Sequence, residues 1–243
     1  MDLTPYSQID MNQLKMYKNK ITRFLMAYKF AIDEMDTKIK ILQEEFEYIH
    51  DYNPIEHTKS RLKAPESILN KVMRKGGPIS FANVKENLRD IAGIRITCSF
   101  RSDIYQISDM LQKQRDLKLI EIKDYIKDPK DNGYQSLHLI FEIPIYMSDR
   151  EERVYVEVQI RTIAMDFWAS LEHKIFYKYN QGVPERLLKE LKDAAETAAT
   201  LDRKMEELHN EVNEMKDVTN TDTIDDHAQL PLTLLKSLQI DEQ

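Results

Sequence analysis

Residues 154–161 alternate apolar and polar side chains without interruption, and their polar members are of types that can do chemistry. Neighbouring side chains of a β-strand point to opposite faces, so the apolar set is predicted to face a core: Val154, Val156, Val158 and Ile160. The opposite face would then present a carboxylate, an amide and a guanidinium, from Glu157, Gln159 and Arg161. Such a face could serve an active site, or it could be the ordinary solvated side of an antiparallel strand.

A second candidate is a concentration of basic residues in an otherwise acidic chain. Between residues 59 and 75 there is one acid, Glu66, against the following basic residues: Lys59, Arg61, Lys63, Lys71, Arg74 and Lys75. A helix beginning near Pro65 would place Ser67, Lys71 and Arg74 on one face. Arg61 and Lys63 lie in the extended segment before that helix and can point the same way. This arrangement favours binding of a polyphosphate, the alternative being a solvated basic face.

Asp90 and Arg95 accompany the next apolar run, residues 91–100, which is rich in β-branched residues and is predicted to be a strand. An aspartate at the start of a strand is often only a cap or turn residue. If this strand lies beside the one that carries Glu157, the two carboxylates form a pair able to hold Mg²⁺ on a nucleotide.

An aromatic residue, a hydroxyl and an imidazole share one parity in the segment 130–138, as Tyr134, Ser136 and His138. Together with the turn-forming glycine beside them, these side chains could stack on a base and contact phosphate. The alternative for His138 is a hydrogen-bonded structural histidine on a half-buried strand.

Composition narrows the class of protein. The chain has 243 residues and a formal net charge of −7, which is the wrong sign for coating nucleic acid, so a nucleic-acid partner is not expected. Its single cysteine, Cys98, lies in an apolar strand and is predicted to be a small buried hydrophobe. No apolar run reaches the length of a membrane span and no signal peptide is present, so we expect no membrane association and a cytoplasmic location.

The remaining pattern predicts a mixed α/β sheet with long helices at both ends. The predicted helices are 16–51, 65–76, 81–89, 102–115, 163–179 and 184–217, and the predicted strands are 91–100, 117–126, 135–146 and 153–162. The last two strands should form a hairpin around the charged turn 148–152.

The last helix carries a heptad seam that must be buried, either against the N-terminal helix or against another subunit. The seam residues are Leu187, Leu191, Ala194, Ala198, Leu201, Met205, Leu208, Val212 and Met215. Residues 218–243 are acidic and rich in turn formers, which predicts a mobile tail.

Three ordered motifs make the chain resemble the synthetase domain of the RelA/SpoT family. They are DIAGIRI at 90–96, KDYI at 123–126 continuing through PK at 129–130 to NGYQSLH at 132–138, and EVQIRT at 157–162 with AM at 164–165 and WASLEH at 168–173. The short length and the flanking long helices are similar to the small alarmone synthetases, especially the RelP-like branch. The long members' hydrolase domain has no room in this length.

The resemblance implies an α+β fold, a mostly antiparallel mixed sheet flanked by helices in a nucleotidyltransferase-like arrangement. One synthetase domain would span 1–217, with its catalytic core at 55–180. The implied enzyme is a synthetase-only GTP diphosphokinase, which transfers pyrophosphate from ATP to the ribose 3′-hydroxyl of GDP or GTP and makes the alarmone (p)ppGpp of the stringent response. Small members are typically homotetramers, which would give the terminal helices their partners.

The resemblance also assigns roles by motif. Asp90 and Glu157 would bind Mg²⁺, and Glu157 would be the base for the 3′-hydroxyl. Arg95 would flank adenine, and the ATP phosphates would be held by Arg61, Lys63, Ser67, Lys71 and Arg74. Tyr134 would stack on guanine, and the acceptor site would be completed by Lys130, His138, Gln159 and Asp166.

Two positions depart from the family pattern. Glu121 stands where many long members have Arg in an Arg-x-Lys-Asp element, and Gln135 stands where small relatives often have Arg. The alternative function is a catalytically silent module of the same fold that binds guanine nucleotide or single-stranded RNA. The carboxylate pair favours the enzyme, because binding alone does not need it.

Overall fold

A computed structural model describes residues 11–50, 52–177 and 184–219. The described elements are α1 (Met11–Ile49), β1 (Ile55–Leu62), α2 (Pro65–Lys75), α3 (Phe81–Asn87), β2 (Ala92–Cys98), α4 (Arg101–Gln112), β3 (Lys118–Asp124), β4 (Leu137–Tyr146), β5 (Glu151–Thr162), α5 (Ile163–Tyr177) and α6 (Glu185–Thr219). The chain divides into two compact units between Arg203 and Lys204, and the sheet belongs to the first. No helix in the described ranges is both long and apolar enough to cross a membrane.

The five strands form one mixed sheet in the order β1-β2-β5-β4-β3. The central pair, β2 and β5, is parallel, and the other three pairings are antiparallel. Helices and sheet together confirm the predicted α+β class. Asp90 lies just before β2, and β2 is a direct neighbour of β5, which carries Glu157, as the carboxylate-pair hypothesis required.

The register places the polar candidates of β2, β4 and β5 on one face of the sheet. Glu157 lies opposite Gly93 on β2 and Ile140 on β4, while Gln159 lies opposite Arg95 and His138. Side chains one position away point to the other face, where Val156, Val158 and Ile160 are fully buried, as predicted. Helix α1 packs across that apolar face and contacts β1, β2, β4 and β5, which leaves the polar face for a binding site.

The sequence pattern missed one strand. Residues 55–62 were predicted only as an extended segment, but they form β1, an edge strand antiparallel to β2. All but the end residues of β1 are exposed, so it has no apolar alternation that could reveal a strand. The predicted hairpin is confirmed, but β5 begins at Glu151 inside the predicted turn and pairs there with Tyr146.

In the part of helix α6 that belongs to the first unit, the predicted seam is only partly buried: Leu187, Leu191 and Ala198 are half-buried, and none of its residues there is fully buried. The residues that α6 buries are Ala195, Ala199 and Asp202, each next to a seam position, while Leu201 is 60% exposed. In the second unit Met205 and Val212 are also exposed. The predicted tail, residues 218–243, lies outside the described residues except for the end of α6, which extends through Thr219.

Candidate active site

Asp90 lies at the entrance of β2, where two lysines converge on it. The Lys63 ammonium, at the end of β1, and the Lys71 ammonium, on α2, both donate to Asp90 Oδ2, the latter at 2.5 Å. Burial raises the pKa of Asp90, but the two lysines outweigh burial and hold that pKa below its usual value. The second oxygen, Oδ1, is buried and has no hydrogen-bond partner among the described residues. A carboxylate with one oxygen paired and one open can accept a further ligand.

Helix α2 holds Lys71 in place for reasons that the sequence shows. Pro65 begins the helix, Gly76 ends it with a φ of 71°, and Ile68 and Val72 are buried against the core. Lys71 lies at the edge of this buried face, three residues after Ile68, and from there its ammonium reaches Asp90. The predicted partners Ser67 and Arg74 are both exposed, and neither lines the two cavities that Asp90 and Glu157 share.

Glu157, in the middle of β5, has a polar partner at each of its oxygens. Gln159 Nε2 donates to Oε2 at 2.8 Å, and His138 Nδ1 lies 3.4 Å from Oε1. Burial raises the pKa of Glu157 and the charge of Asp90 adds to this, but the contacts with His138 and Gln159 keep that pKa below its ordinary value. Glu157 is therefore an oriented carboxylate at neutral pH.

An aromatic cluster stands beside Glu157 on the loop that leads into β4. Tyr134 OH lies 2.8 Å from His138 Nε2, and both rings pack edge-on against Tyr125. The Lys130 ammonium lies 4.8 Å from the centre of the Tyr134 ring. The structure thus brings Lys130, Tyr134 and His138 together, as predicted, and the ring offers a flat surface for a base.

The loop is held from behind by α5 and α6. Gly133 has a φ of 86°, and a side chain added there would lie 2.5 Å from the Ala195 Cβ. Trp168 Nε1 donates to the Leu191 carbonyl at 3.0 Å, which fixes α6 against α5. Because α6 leaves no space for a side chain at Gly133, it limits how far the loop, and with it Tyr134, can move toward the helices.

Arg95 and Asp166, predicted for different substrates, form an ion pair in the structure. Arg95 NH1 lies 3.0 Å from Asp166 Oδ1, and Arg161 NH1 lies 3.1 Å from the same oxygen. Asp166 therefore bridges two guanidiniums that extend from β2 and β5. Its position in the first turn of α5 links the two halves of the polar face.

Two cavities on this face share the carboxylates as a common wall. The first, about 210 Å³, is lined by Lys59, Arg61, Asp90, Gly93, Ile94, Arg95, Glu157 and Gln159. The second, about 340 Å³, is lined by Lys71, Lys75, Glu86, Asn87, Arg89, Asp90, Glu121, Lys123, Ile140 and Glu157. Asp90 and Glu157 line both, so a group in one cavity can meet a group in the other across them.

Sequence reasoning placed Arg161 on the polar strand face but gave it no role. It is only 4% exposed, yet it bonds Tyr134, Ser136, Gln159 and Asp166. Strand parity alone could have included it, because Arg161 follows Glu157 and Gln159 at the same spacing. Lys123 and Glu121 also line the second cavity, from the edge strand β3. They lie there because β3 pairs with β4, a pairing that the sequence alone did not show.

Comparisons with known proteins agree with this geometry. A family model described as a region found in RelA / SpoT proteins matches residues 60–182. The chain is 54% identical over 213 residues to the GTP pyrophosphokinase YwaC of Bacillus subtilis. The match covers 88% of this chain and 100% of that protein. It is 41% identical over 192 residues to the GTP pyrophosphokinase YjbM of the same organism, covering 79% of this chain and 90% of the relative.

A solved structure of small alarmone synthetase 1 from Bacillus subtilis, bound to its product pppGpp, superposes with a TM-score of 0.75 at 39% identity. The match covers 79% of this chain and 98% of that one. Small alarmone synthetase 2 from the same organism superposes with a TM-score of 0.72 at 53% identity, covering 80% and 98%. The motifs, the sheet and these similarities agree, and the chain belongs to the RelA/SpoT family, in which its similar structures are small alarmone synthetases.

Proposed function

We propose that the chain is a GTP pyrophosphokinase that transfers the pyrophosphoryl group of ATP to the ribose 3′-hydroxyl of GDP or GTP and so makes (p)ppGpp. One observation carries the proposal. Asp90 and Glu157 both line two adjoining cavities; two lysines converge on Asp90, and the Tyr134 platform reaches Glu157 through His138, whose Nδ1 lies 3.4 Å from Glu157 Oε1. A transfer between two nucleotides needs such a meeting point for donor phosphorus and acceptor hydroxyl.

Binding of ATP would redistribute the charges around Asp90. Lys63 and Lys71, which now pair with one Asp90 oxygen, would move to the phosphates, together with Arg61 in the adjoining cavity. Ser67 and Arg74 would extend this contact along the exposed face of α2. Arg95, in the first cavity, would lie against the adenine ring.

The donor set fits Mg²⁺. The carboxylates of Asp90 and Glu157 are oxygen ligands of the kind that Mg²⁺ prefers, and the buried, unpartnered Asp90 Oδ1 is available to it. Two protein carboxylates suffice when phosphate oxygens and water complete the ligand set. When bound, the ion would neutralise negative charge on the triphosphate.

The acceptor would stack its guanine on Tyr134, with Lys130, His138, Gln159 and Asp166 around it. Glu157 would take the proton of the 3′-hydroxyl as that oxygen forms a bond to the β-phosphorus of ATP. The bond between that phosphorus and the bridging oxygen to the α-phosphorus breaks, and AMP leaves. Atoms and charge balance with no other reactant.

We also propose that the chain acts as a homo-oligomer, a tetramer as is typical of small members of the family. The exposed apolar seam of α6 supports this, since Leu201, Met205 and Val212 are each at least half exposed. Sedimentation of the full chain against a form truncated near Lys189 tests the proposal, and an unchanged oligomer would exclude the last helix as its interface.

The test of the main proposal is direct. The protein is incubated with Mg²⁺, γ-labelled ATP and GDP, and the nucleotides are separated. Label is expected in guanosine tetraphosphate with GDP and with 2′-deoxy-GDP, but not with 3′-deoxy-GDP, which lacks the accepting hydroxyl. Binding of GDP without any transfer of label would instead support the silent nucleotide-binding module.

A further inference from the structure

Arg161 is a buried cation whose hydrogen bonds, within the described part of the chain, go to residues of the polar face and to Asp166 beside it. Its Nε donates to Ser136 Oγ at 3.3 Å and its Nη1 to Asp166 at 3.1 Å. Its Nη2 donates both to Tyr134 OH at 2.5 Å and to Gln159 Oε1 at 2.8 Å. Because Arg161 is buried and its three guanidinium nitrogens all donate to these residues, it contacts the groups proposed to touch substrate rather than substrate itself.

The bond from Arg161 Nη2 to Tyr134 OH begins a chain of hydrogen-bonding groups that ends on Glu157. The ionised Glu157 can only accept, so the neutral imidazole of His138 carries its hydrogen on Nδ1, which faces Glu157 Oε1. His138 Nε2 is then an acceptor and takes the hydrogen bond from the Tyr134 hydroxyl, whose oxygen in turn accepts from Arg161. Burial raises the pKa of Tyr134, so its hydroxyl hydrogen is present at neutral pH. Each donor thus has a defined direction from Arg161 to one oxygen of Glu157.

The second chain reaches the other oxygen. Arg161 Nη2 donates a hydrogen bond to the side-chain carbonyl oxygen of Gln159, which fixes the orientation of that amide. The amide nitrogen of Gln159 then donates to Glu157 Oε2 at 2.8 Å. The two chains start at one guanidinium nitrogen and end on the two oxygens of one carboxylate.

We propose that Arg161 is a positioning residue that orients the base platform Tyr134 and the carboxylate Glu157 as one unit. The inference rests on the proposed function, because it assigns the acceptor base to Tyr134 and the 3′-hydroxyl to Glu157. Arg161 also lies 5.1 Å from the centre of the Tyr134 ring, which supports the ring from the protein side. A lysine has one nitrogen and cannot reproduce the fork that reaches Tyr134, Gln159 and Asp166 together.

The test compares Arg161→Lys with the parent chain in the transfer reaction. We expect kcat to fall about 100-fold, since small displacements of reacting groups have effects of that order. The KM for GDP should rise about tenfold, because the guanine platform loses its support, while the KM for ATP changes less than twofold. A merely structural role would lower the amount of active protein and leave both KM values unchanged. The matched control is Arg153→Lys, on the same strand but 55% exposed and paired with Glu142 and Glu151, which should behave as the parent.

A double-mutant cycle tests the two-residue unit. Tyr134→Phe keeps the ring but removes the hydroxyl that joins Arg161 to His138, so it should lower kcat by itself. In the Arg161→Lys background the same change should cost less than threefold more, because the chain is already cut. Effects that multiply independently, or an Arg161→Lys variant with kcat and GDP KM within threefold of the parent, would overturn the proposal.

The Arg161 proposal can fail separately from the proposed function. GDP binding, measured by calorimetry without ATP, should weaken about tenfold in Arg161→Lys, whereas binding of α,β-methylene-ATP should not change. If the parent transfers no label, the proposed function fails, and the calorimetric result still decides whether Arg161 positions the Tyr134 platform. If Arg161→Lys unfolds, Tyr134→Phe carries the test, and a kcat equal to that of the parent refutes the chain through His138.

Discussion

Replacing Glu157 with glutamine tests the centre of the proposed site most directly. An amide of the same shape has one acceptor oxygen, whereas Gln159 and His138 both direct donors at this side chain. One donor therefore loses its partner, which costs about 1–3 kcal/mol if nothing rearranges. For a domain of this size that is a fall in Tm of up to about 10 °C, so the fold should persist.

The effect on turnover should be much larger. Loss of a general base typically lowers the rate by about 10² to 10⁴, and here a metal-binding charge would be lost with it. We therefore expect kcat to fall by at least about 10³ in Glu157→Gln, or about 4 kcal/mol in the barrier. Binding of GDP should remain, because the Tyr134 platform does not depend on the charge of Glu157.

The assay is the transfer of label from γ-labelled ATP to GDP, together with calorimetry of GDP binding. A matched control is Glu142→Gln, which changes a carboxylate on the neighbouring strand β4 that pairs with Lys118 and Arg153. That control should keep the parent's rate. A Glu157→Gln enzyme that retains more than a tenth of the parent's turnover would remove Glu157 from both the base and the metal roles.

Three further predictions concern neighbouring parts of the structure. Asp90→Asn should abolish transfer and destabilise the fold by about 1–3 kcal/mol. Because the pKa of Asp90 is lowered in the fold, the difference in Tm between the parent and this variant should be fully present at pH 7 and should shrink as the pH falls below 3.8. A difference in Tm that grew in acid would contradict the pairing of Asp90 with two lysines. Gly133→Ala should lower the rate of transfer at least tenfold, because the added carbon would lie 2.5 Å from Ala195 Cβ and displace Tyr134. Adding Ala195→Gly to that variant should restore part of the rate. If the initial rate does not recover, backbone strain at Gly133 alone is responsible. Cys98 is fully buried and burial strongly raises its pKa, so the native protein should resist alkylation at pH 7.5 and react only when unfolded, and rapid labelling detected by mass spectrometry would show that the strand β2 opens.

Local pattern predicted most of what is local in this protein. The alternation at 154–161 correctly assigned the core face of β5, and Pro65 and the Gly76-Gly77-Pro78 sequence correctly bounded α2. These features follow from side-chain period and backbone chemistry, which a sequence displays directly. The one missed strand, β1, forms because its backbone pairs with the edge of β2, and no side-chain pattern records that pairing.

The seam of α6 also shows what a local pattern cannot determine, namely which face of a helix is buried. Heptad spacing indicated an apolar stripe, but the surface that α6 buries in the first unit is one residue away, at Ala195 and Ala199. Small residues were favoured there because Gly133 and Trp168 approach closely. Which of two adjacent stripes faces the core depends on a partner surface that is distant in the sequence.

Sequence by itself determined the residue types of the site: a cluster of basic residues at 59–75, and a carboxylate pair and an aromatic loop that lie within recognisable motifs. Only the tertiary structure decided how they meet. The parallel pairing of β2 with β5 brings Asp90 beside Glu157, and the fold closes two hydrogen-bond chains from Arg161 onto both oxygens of Glu157. Strand order and register bring together residues separated by tens of positions, and those long-range pairings are not encoded in any single segment.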